Sequence, residues 1–445
     1  MTSTVHRAVR FAGAREGEHP CTWGQLDMWR EMLREGDPAH GNMIGGGYLP
    51  PGHTPDQVLE GLRGLVERHE SLRTRYHPSE DGRLVQEVVG SGEFEVEVRA
   101  LEGGHDELAA AAGEWLGEFQ AEPYDLGKDL PFRARIGAVD GEARVVVLGM
   151  PHLTADLFGG RLLFDDLVRG LDGREPVSPP GPQPAELAEL ERSAAGERIL
   201  RRSLGHWRRV LDGAPPACFP EARHSAMSPR YWCGGLTSRA TPAALERLAA
   251  HHQVSTSHVL LAAVASLLGD YTGRDHCLVR MVVGNRGRPE LRNAVGSLSQ
   301  EVAAAVELGG DRFEDIVRAA RLSSLEAMRH GRYDPDIVAK LVADAGVELD
   351  VYFNDMWTAT RDGKGAPGTE AAPSARTDET TFGWEQHLER ASVAFFFEAH
   401  DVIGDPEAVR LSLMTDTTRV PPPDIKTFLF AIEKLLTDQT DLLGG

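Results

Sequence analysis

The sequence is poor in the features that mark secreted, metal-binding and membrane proteins. Only four cysteines occur in 445 residues, no two of them form a CxxC pair, and none clusters with histidine at zinc-site spacing. No run approaches the roughly 18 apolar residues of a membrane span. Residues 1–20 lack the apolar core of a secretory signal. We therefore expect a cytoplasmic protein with free thiols, no bound metal and no membrane partner.

Basic residues are also scarce, with 47 Lys and Arg against 68 Asp and Glu and a formal net charge of −21. Affinity for nucleic acid depends on clustered positive charge, so we expect no nucleic-acid partner. One local exception is a predicted helix that carries four arginines and a histidine: Arg201, Arg202, His206, Arg208 and Arg209. This pattern is typical either of a solvated helix face or of a docking patch for an acidic partner.

Several signatures of well-known enzyme classes are missing. The chain contains no GxxxxGK[ST] phosphate loop, no GxGxxG after a strand, no GxSxG and no HExxH. These absences argue against phosphate-loop nucleotide hydrolases, dinucleotide-binding enzymes, α/β-hydrolases and zinc peptidases.

The apolar patterning that is present predicts two units, each mixing helices with neighbouring strands. Thr54 can cap a helix over residues 54–69, and Asp140-Gly141 predicts a hairpin between strands 132–139 and 143–150. A single long helix is predicted over residues 186–212, and a loop over 360–379. Residues 172–184 contain five prolines and are typical of an inter-domain linker. We expect an α+β fold with an N-terminal lobe at residues 1–175 and a C-terminal lobe at 176–445.

The most informative segment is residues 145–156, VVVLGMPHLTAD. A wholly apolar strand ends in Pro151, His152 follows at once, and Asp156 comes four residues later, before a helix. A strand end is a rigid place to hold a base, and imidazole exchanges a proton near neutral pH. The residues alone leave open a structural alternative, in which the histidine caps or borders the core and the aspartate belongs to a turn.

Seven segments in order along the chain resemble the motifs of condensation domains of nonribosomal peptide synthetases. Residues 151–157, PHLTADL, resemble the HHxxxDG motif, and residues 68–76, RHESLRTRY, match RHExLRTxF. Residues 22–29, TWGQLDMW, are similar to SxAQxRLW. The others are 124–135 (FDL…PLLRARL in the family), 206–215 (YWxxxLxGxP), 283–296 (GRxxPEL…IG) and, faintly, 333–335 (HQDVPFE).

The resemblance implies two chloramphenicol acetyltransferase-like lobes arranged as a V with a tunnel between them, the C-terminal lobe supplying floor and latch loops. It also implies an acyl or peptidyl carrier protein that presents an acyl thioester on phosphopantetheine, with no cofactor bound by the enzyme itself. A small-molecule or carrier-bound amine or hydroxyl would attack the thioester. By position, His152 matches the catalytic histidine and Asp156 the structural aspartate, for which Arg286 is the best candidate partner.

The chain departs from the family pattern at three positions, which become candidates for lining the tunnel or contacting substrate. Pro151 replaces the first histidine of the motif, Leu157 replaces its glycine, and Gln300 stands where the family has asparagine. The leading hypothesis is a free-standing condensation enzyme that uses a carrier protein in trans to form an amide or ester. The alternatives are a catalytically silent domain that docks carrier proteins or recruits tailoring enzymes, an epimerase-like member, and an acyltransferase that uses coenzyme A thioesters.

Overall fold

A computed structural model describes residues 3–36, 39, 41–80, 82–176, 181–219, 222–310, 312–361, 380–402 and 405–443. The loop predicted at residues 360–379 falls outside these ranges except for its first two residues. Among the described residues, no single helix is long and apolar enough to cross a membrane. One bent pair, Ala240–His252 with Thr256–Thr272, passes that test by length and composition alone.

The chain folds into two compact units. Unit 1 comprises residues 1–200, 284–300 and 332–335, and unit 2 comprises residues 201–283, 301–331 and 336–445. This division differs from the predicted bounds of 1–175 and 176–445, because the proline-rich segment is followed by a helix that packs on unit 1. Leu187 of that helix lies in an apolar cluster with Leu291, Ala294 and Leu298, so the return segment 284–300 also belongs to this unit.

Unit 1 contains a five-stranded sheet in the order β1-β6-β7-β8-β3 and a three-stranded sheet in the order β2-β5-β4. In chain order its helices and strands are β1 (Thr4–Ala12), β2 (Gly17–Pro20), α1 (Trp23–Glu35), β3 (Asn42–Tyr48), α2 (Pro55–Arg68), β4 (Thr74–Pro78), β5 (Leu84–Val88), β6 (Ser91–Leu101), α3 (His105–Ala121), β7 (Arg133–Val139), β8 (Glu142–Pro151), α4 (Leu157–Leu171), α5 (Pro184–Arg192) and the start of α6 (Ala194–Leu211). A 3₁₀ turn at Glu70–Arg73 joins α2 to β4.

Local sequence explains the elements that position the β8 end. Thr54 and Gln57 form the reciprocal capping box that starts α2. Asp140 and Gly141 adopt positive φ, 52° and 81°, which is the conformation that a tight hairpin between β7 and β8 requires. The last seven residues of β8 are all buried, since β8 lies between two other strands and helices cover both faces of the sheet. Val146 and Leu148 pack in the cluster that contains α2 and α4, whereas Val145 and Val147 pack against α3.

The helix predicted over residues 186–212 is in fact two helices, α5 and α6. Ser193 between them is extended (φ −79°, ψ 170°), and its hydroxyl oxygen accepts the N–H groups of Ala195 and Gly196. A serine that accepts in this way starts a new helix rather than continuing the old one, which is why the periodic pattern alone missed the break.

Unit 2 contains a seven-stranded sheet in the order β11-β10-β12-β14-β15-β9-β13. Alternation places Phe395, Phe397 and Ala399 of one strand in the core. Its elements after α6 are β9 (Tyr231–Ser238), α7 (Ala240–His252), α8 (Thr256–Thr272), β10 (His276–Val283), β11 (Gln300–Glu307), α9 (Phe313–Arg329), α10 (Pro335–Ala345), β12 (Val351–Asp355), α11 (Met356–Arg361), β13 (Thr381–Leu388), β14 (Phe395–Val402), β15 (Asp405–Asp416) and α12 (Pro422–Leu442).

The five-stranded and seven-stranded sheets each combine antiparallel with parallel pairs, as at β6–β7 in the first and β12–β14 in the second. Sheets of this kind with helices packed on them confirm the predicted α+β class. The V-shaped arrangement of the lobes stays a prediction.

Candidate active site

The end of β8 holds His152 at a fixed point of unit 1. Pro151, the last residue of the strand, is buried and lies opposite Asn42 of β3. The His152 backbone N–H donates to the Gly41 carbonyl at 2.6 Å, and the Thr154 N–H donates to the Pro151 carbonyl at 2.8 Å. The proline therefore closes the turn through its carbonyl, and its missing N–H does not interrupt the structure.

A buried polar network supports the same turn from the side. The Tyr76 hydroxyl donates to the carbonyl of Leu153 at 3.1 Å, and the Gln25 side-chain amide donates to the Tyr76 oxygen at 3.2 Å. Gln25 also contacts Gln86 at 3.3 Å, and Gln86 donates to the Pro20 carbonyl at 2.8 Å. These three side chains are at most 2% exposed. Polar groups so deeply buried are stable only when they are hydrogen-bonded, so the network fixes the backbone next to His152.

Asp156 caps α4 and gathers five hydrogen bonds. Its Oδ1 accepts the Gly159 N–H at 3.0 Å. Its Oδ2 accepts from Arg286 at 2.7 Å, from the Leu298 N–H at 3.1 Å, and from the N–H and hydroxyl of Ser299 at 3.0 and 2.9 Å. The side chain is 1% exposed. Asp156 therefore links the start of α4 to Leu298 and Ser299, which lie in the segment 284–300.

The ion pair predicted between Asp156 and Arg286 is present, and Arg286 is itself held on several sides. It donates to the carbonyls of Gly284, Ala294 and Gly296 at 3.1, 3.0 and 3.4 Å, and it lies 5.5 Å from the centre of the Phe158 ring. Burial alone would raise the pKa of the Asp156 carboxyl. The Arg286 guanidinium, the hydrogen bonds and, when it is protonated, the nearby His152 outweigh burial and hold that pKa below its ordinary value.

The three predicted lining positions lie in different settings. Pro151 is buried at the strand end, and Leu157 is the half-buried first residue of α4, next to its capping Asp156. The Gln300 amide donates to the Tyr333 carbonyl at 3.0 Å and accepts the Tyr333 N–H at 3.4 Å. Both ends of the Gln300 side chain thus hold backbone, which favours a structural role over the predicted contact with substrate.

Sequence reasoning missed the residues that brace the site. His69 lies 3.1 Å from Asp166 of α4, and Arg68 lies 3.2 Å from the same carboxylate. Both belong to the RHExLRTxF-like segment, as does Tyr76, and Gln25 belongs to the SxAQxRLW-like segment. Apolar periodicity gives no signal for these residues. Their presence in ordered motifs was the available clue that His69, Tyr76 and Gln25 are buried.

The described residues contain no group of three or more His, Cys, Asp and Glu side chains that could hold a metal ion. The four cysteines are free thiols, and burial raises the pKa of Cys21 and of Cys218 to about 12. A thiol with so high a pKa is a poor nucleophile at neutral pH.

Comparison with known proteins agrees with the motifs. The Condensation domain family model matches residues 15–360. Phosphinothricin tripeptide synthetase PhsC of Streptomyces viridochromogenes is 27% identical over 385 residues, which is 82% of this chain and 34% of that synthetase. Tyrocidine synthase 3 of Brevibacillus parabrevis is 25% identical over 344 residues, which is 76% of this chain and 5% of that synthase. The chain thus spans about a third of the length of the first relative and about a twentieth of the second.

Solved structures share the fold at low sequence identity. The condensation domain that mediates chain release from the enacyloxin polyketide synthase has a TM-score of 0.72 at 20% identity, covering 96% of this chain and 84% of that one. A chain in the complex of the X-domain and OxyB from teicoplanin biosynthesis has a TM-score of 0.64 at 18% identity, covering 97% and 96%. With the family model matching more than three quarters of its length, the chain belongs to the condensation domain family.

Proposed function

We propose that this protein is an acyltransferase that joins a carrier-bound acyl or aminoacyl group to an amine or hydroxyl, with His152 at the reaction centre. The supporting observation is a histidine on a rigidly held backbone, four residues before an aspartate whose charge Arg286 already neutralises. β8, the Gly41 carbonyl and the Tyr76 network fix the backbone on both sides of His152, and a base that must meet a bound nucleophile needs such a fixed point of attachment.

Asp156 is unsuited to act as the base. Its carboxylate already accepts five hydrogen bonds, its pKa is below the ordinary value, and it is 1% exposed. A carboxylate stabilised in this way holds a proton weakly and offers no free edge to a substrate. The division of roles follows: His152 exchanges the proton, and Asp156 with Arg286 shapes the backbone around it.

In the proposed reaction the nucleophile's nitrogen or oxygen attacks the thioester carbonyl carbon. A C–N or C–O bond forms and the C–S bond breaks. His152 takes the proton from the nucleophile, or orients the nucleophile as that proton leaves, and the proton ends on the departing phosphopantetheine thiolate. The phosphopantetheine arm belongs to the carrier protein and is a substrate in this scheme, so the enzyme needs no resident cofactor.

The test is transfer by the purified protein from a carrier protein loaded with a panel of acyl and aminoacyl groups to a panel of amines and alcohols, followed by mass spectrometry. His152→Ala is expected to slow product formation by roughly 10²–10⁴-fold, the usual effect of removing a general base. His6→Ala, which removes an exposed imidazole on β1, is the matched control and should leave the rate unchanged. A folded His152→Ala protein that works at near the wild-type rate would rule out His152 as the base.

A second candidate function is a silent domain of the same fold that recruits a partner enzyme. Two departures from the motif favour it, Pro151 and Leu157, and a structural neighbour is known in complex with OxyB. The two candidates differ in one measurement. If the wild-type protein binds a loaded carrier protein but yields no product across the panel, and His152→Ala binds it equally well, recruitment is the better account.

A further inference from the structure

The outer face of α6 in unit 2 consists of arginine. From Arg201 onward the helix buries Ser203, His206, Trp207 and Leu211, and the His206 ring lies 2.9 Å from the Ala303 carbonyl. The exposed positions are Arg201, Arg202, Arg208 and Arg209, which we call the arginine face. Residues seven apart stand two turns apart on one side of a helix, so Arg201 aligns with Arg208 and Arg202 with Arg209.

Most of these charges have no acidic partner. Arg209 donates to Glu326 of α9 at 2.9 Å. Within the ranges that the structure describes, Arg201, Arg202 and Arg208 form no ion pair, although acidic residues outnumber basic ones by 68 to 47. Exposed arginines elsewhere in the protein commonly form ion pairs, as Arg7 does with Asp56 at 2.8 Å. A stripe of unneutralised arginine on an acidic protein is therefore a local positive field that favours an anionic partner.

The surface between and beside the arginines can admit another molecule. Gly205 lies between the two arginine pairs, and a Cβ there would meet nothing closer than the Arg209 guanidinium at 3.8 Å. Beside Arg209 a cavity of about 350 Å³ is lined by apolar groups that include Val210, Leu278 and Ala305. An anchoring apolar side chain could enter this cavity while carboxylates contact the arginines.

The same cavity argues for a protein over a nucleic acid or a membrane. Its lining also includes Asp212, Glu307 and Glu326, which would repel the continuous run of phosphates of a nucleic acid, as would the net charge of −21. A folded protein can instead confine its carboxylates to the helix face that meets the arginines. A helix with carboxylates one and two turns apart matches the arginine spacing, and arginine pairs with carboxylate through two parallel hydrogen bonds.

We propose that the arginine face docks the acidic helix of a partner protein, and that this partner is the carrier protein of the transfer reaction. The identification of the partner rests on the proposed function, whereas the surface stands on the charge pattern of α6. From Arg201 to Arg209 the face is about 12 Å long, which corresponds to roughly two turns of a partner helix.

The test is charge reversal at the three unpaired positions, Arg201→Glu, Arg202→Glu and Arg208→Glu combined. The probe is a recombinant peptidyl carrier domain with fluorescein on its phosphopantetheine thiol, titrated by fluorescence anisotropy. Binding by the variant is expected to be weaker by roughly 10–100-fold at low salt, with a shallower salt dependence, because exposed interface charges act mainly on encounter. The control carries the same charge change at three exposed arginines on other parts of the described chain: Arg247→Glu, Arg292→Glu and Arg390→Glu.

A second measurement separates this proposal from the proposed function. With an acyl-loaded carrier as donor the triple variant should show a raised KM, and with the free acyl-pantetheine thioester it should match the wild type. If the wild type transfers nothing, the anisotropy result still decides the docking proposal by itself. Carrier binding unchanged by the triple substitution overturns it. So does arginine-dependent binding of a 30-base-pair DNA duplex or of phosphatidylserine vesicles without binding of the carrier.

Discussion

Replacing Tyr76 by phenylalanine is expected to loosen the turn that carries His152 while leaving the core packing intact. The ring stays in its apolar cluster with Cys21, Leu84 and Leu153, and only the hydroxyl is lost. That hydroxyl donates to the Leu153 carbonyl at 3.1 Å and accepts the Gln25 amide at 3.2 Å. The substitution therefore removes one link between the protein core and the residue that follows His152.

The size of the effect can be worked from these contacts. The Gln25 amide loses its hydrogen bond to the Tyr76 oxygen but keeps a second acceptor, the Gln86 side-chain carbonyl oxygen at 3.3 Å, so Gln25 stays partly satisfied. The Leu153 carbonyl loses its hydroxyl donor in a fully buried place, and an unsatisfied buried acceptor costs about 1–3 kcal/mol. A freed carbonyl lets the turn shift, and a displacement of about 1 Å at a catalytic group costs on the order of 10²-fold in rate. We expect kcat to fall by roughly 10–100-fold with little change in KM.

The assay is the transfer reaction at a temperature well below the melting temperature of every variant, together with urea unfolding. Tyr271→Phe is the matched control, because its hydroxyl also donates a hydrogen bond, to Asp424 at 2.9 Å, but in unit 2. It should lose stability and keep kcat. If Tyr76→Phe also loses stability but keeps the wild-type kcat, the hydroxyl supports the fold and does not position His152. An unchanged free energy of unfolding would show that the Tyr76 hydroxyl does not stabilise the buried Leu153 carbonyl at all.

Three further predictions concern buried contacts of unit 1. Asp156→Ala leaves the buried Arg286 without its carboxylate partner and should lower the free energy of unfolding by roughly 3–5 kcal/mol. An inactive variant with an unchanged melting temperature would contradict this. Burial raises the pKa of Glu191 to about 7 from an ordinary 4.5, so the stabilisation from its bound proton is complete below pH 4.5 and is lost as the pH rises through 7. Between pH 4.5 and 7 the free energy of unfolding of the wild type, measured with urea, should fall by roughly 3 kcal/mol through this group, and Glu191→Gln should lack that fall. The same change of unfolding free energy with pH in both proteins would contradict the prediction. At Gly24 a Cβ would lie 2.2 Å from the Ser297 carbonyl oxygen, so Gly24→Ala should lower the free energy of unfolding by about 1–3 kcal/mol and lower the melting temperature. Equal melting curves would show that the backbone at Ser297 can move aside without loss of stability.

Local sequence by itself determined the fold class and the position of His152. Alternating or continuous apolar residues report burial on one strand or helix, and Asp140-Gly141 reports a turn, because both depend on a few neighbouring residues. The order of the motifs along the chain identified the condensation domain family. These signals were enough to place a histidine at the end of a buried strand and an aspartate at the start of the next helix.

Only the tertiary structure decided what surrounds that histidine. Asp156 and Arg286 are 130 residues apart, and Tyr76 is 77 residues from Leu153, so no local period records either contact. The return of residues 284–300 and 332–335 to unit 1 likewise depends on side chains that meet after folding. Periodicity reports whether a residue is buried, whereas the partner of a buried polar group is set by which segments converge in space.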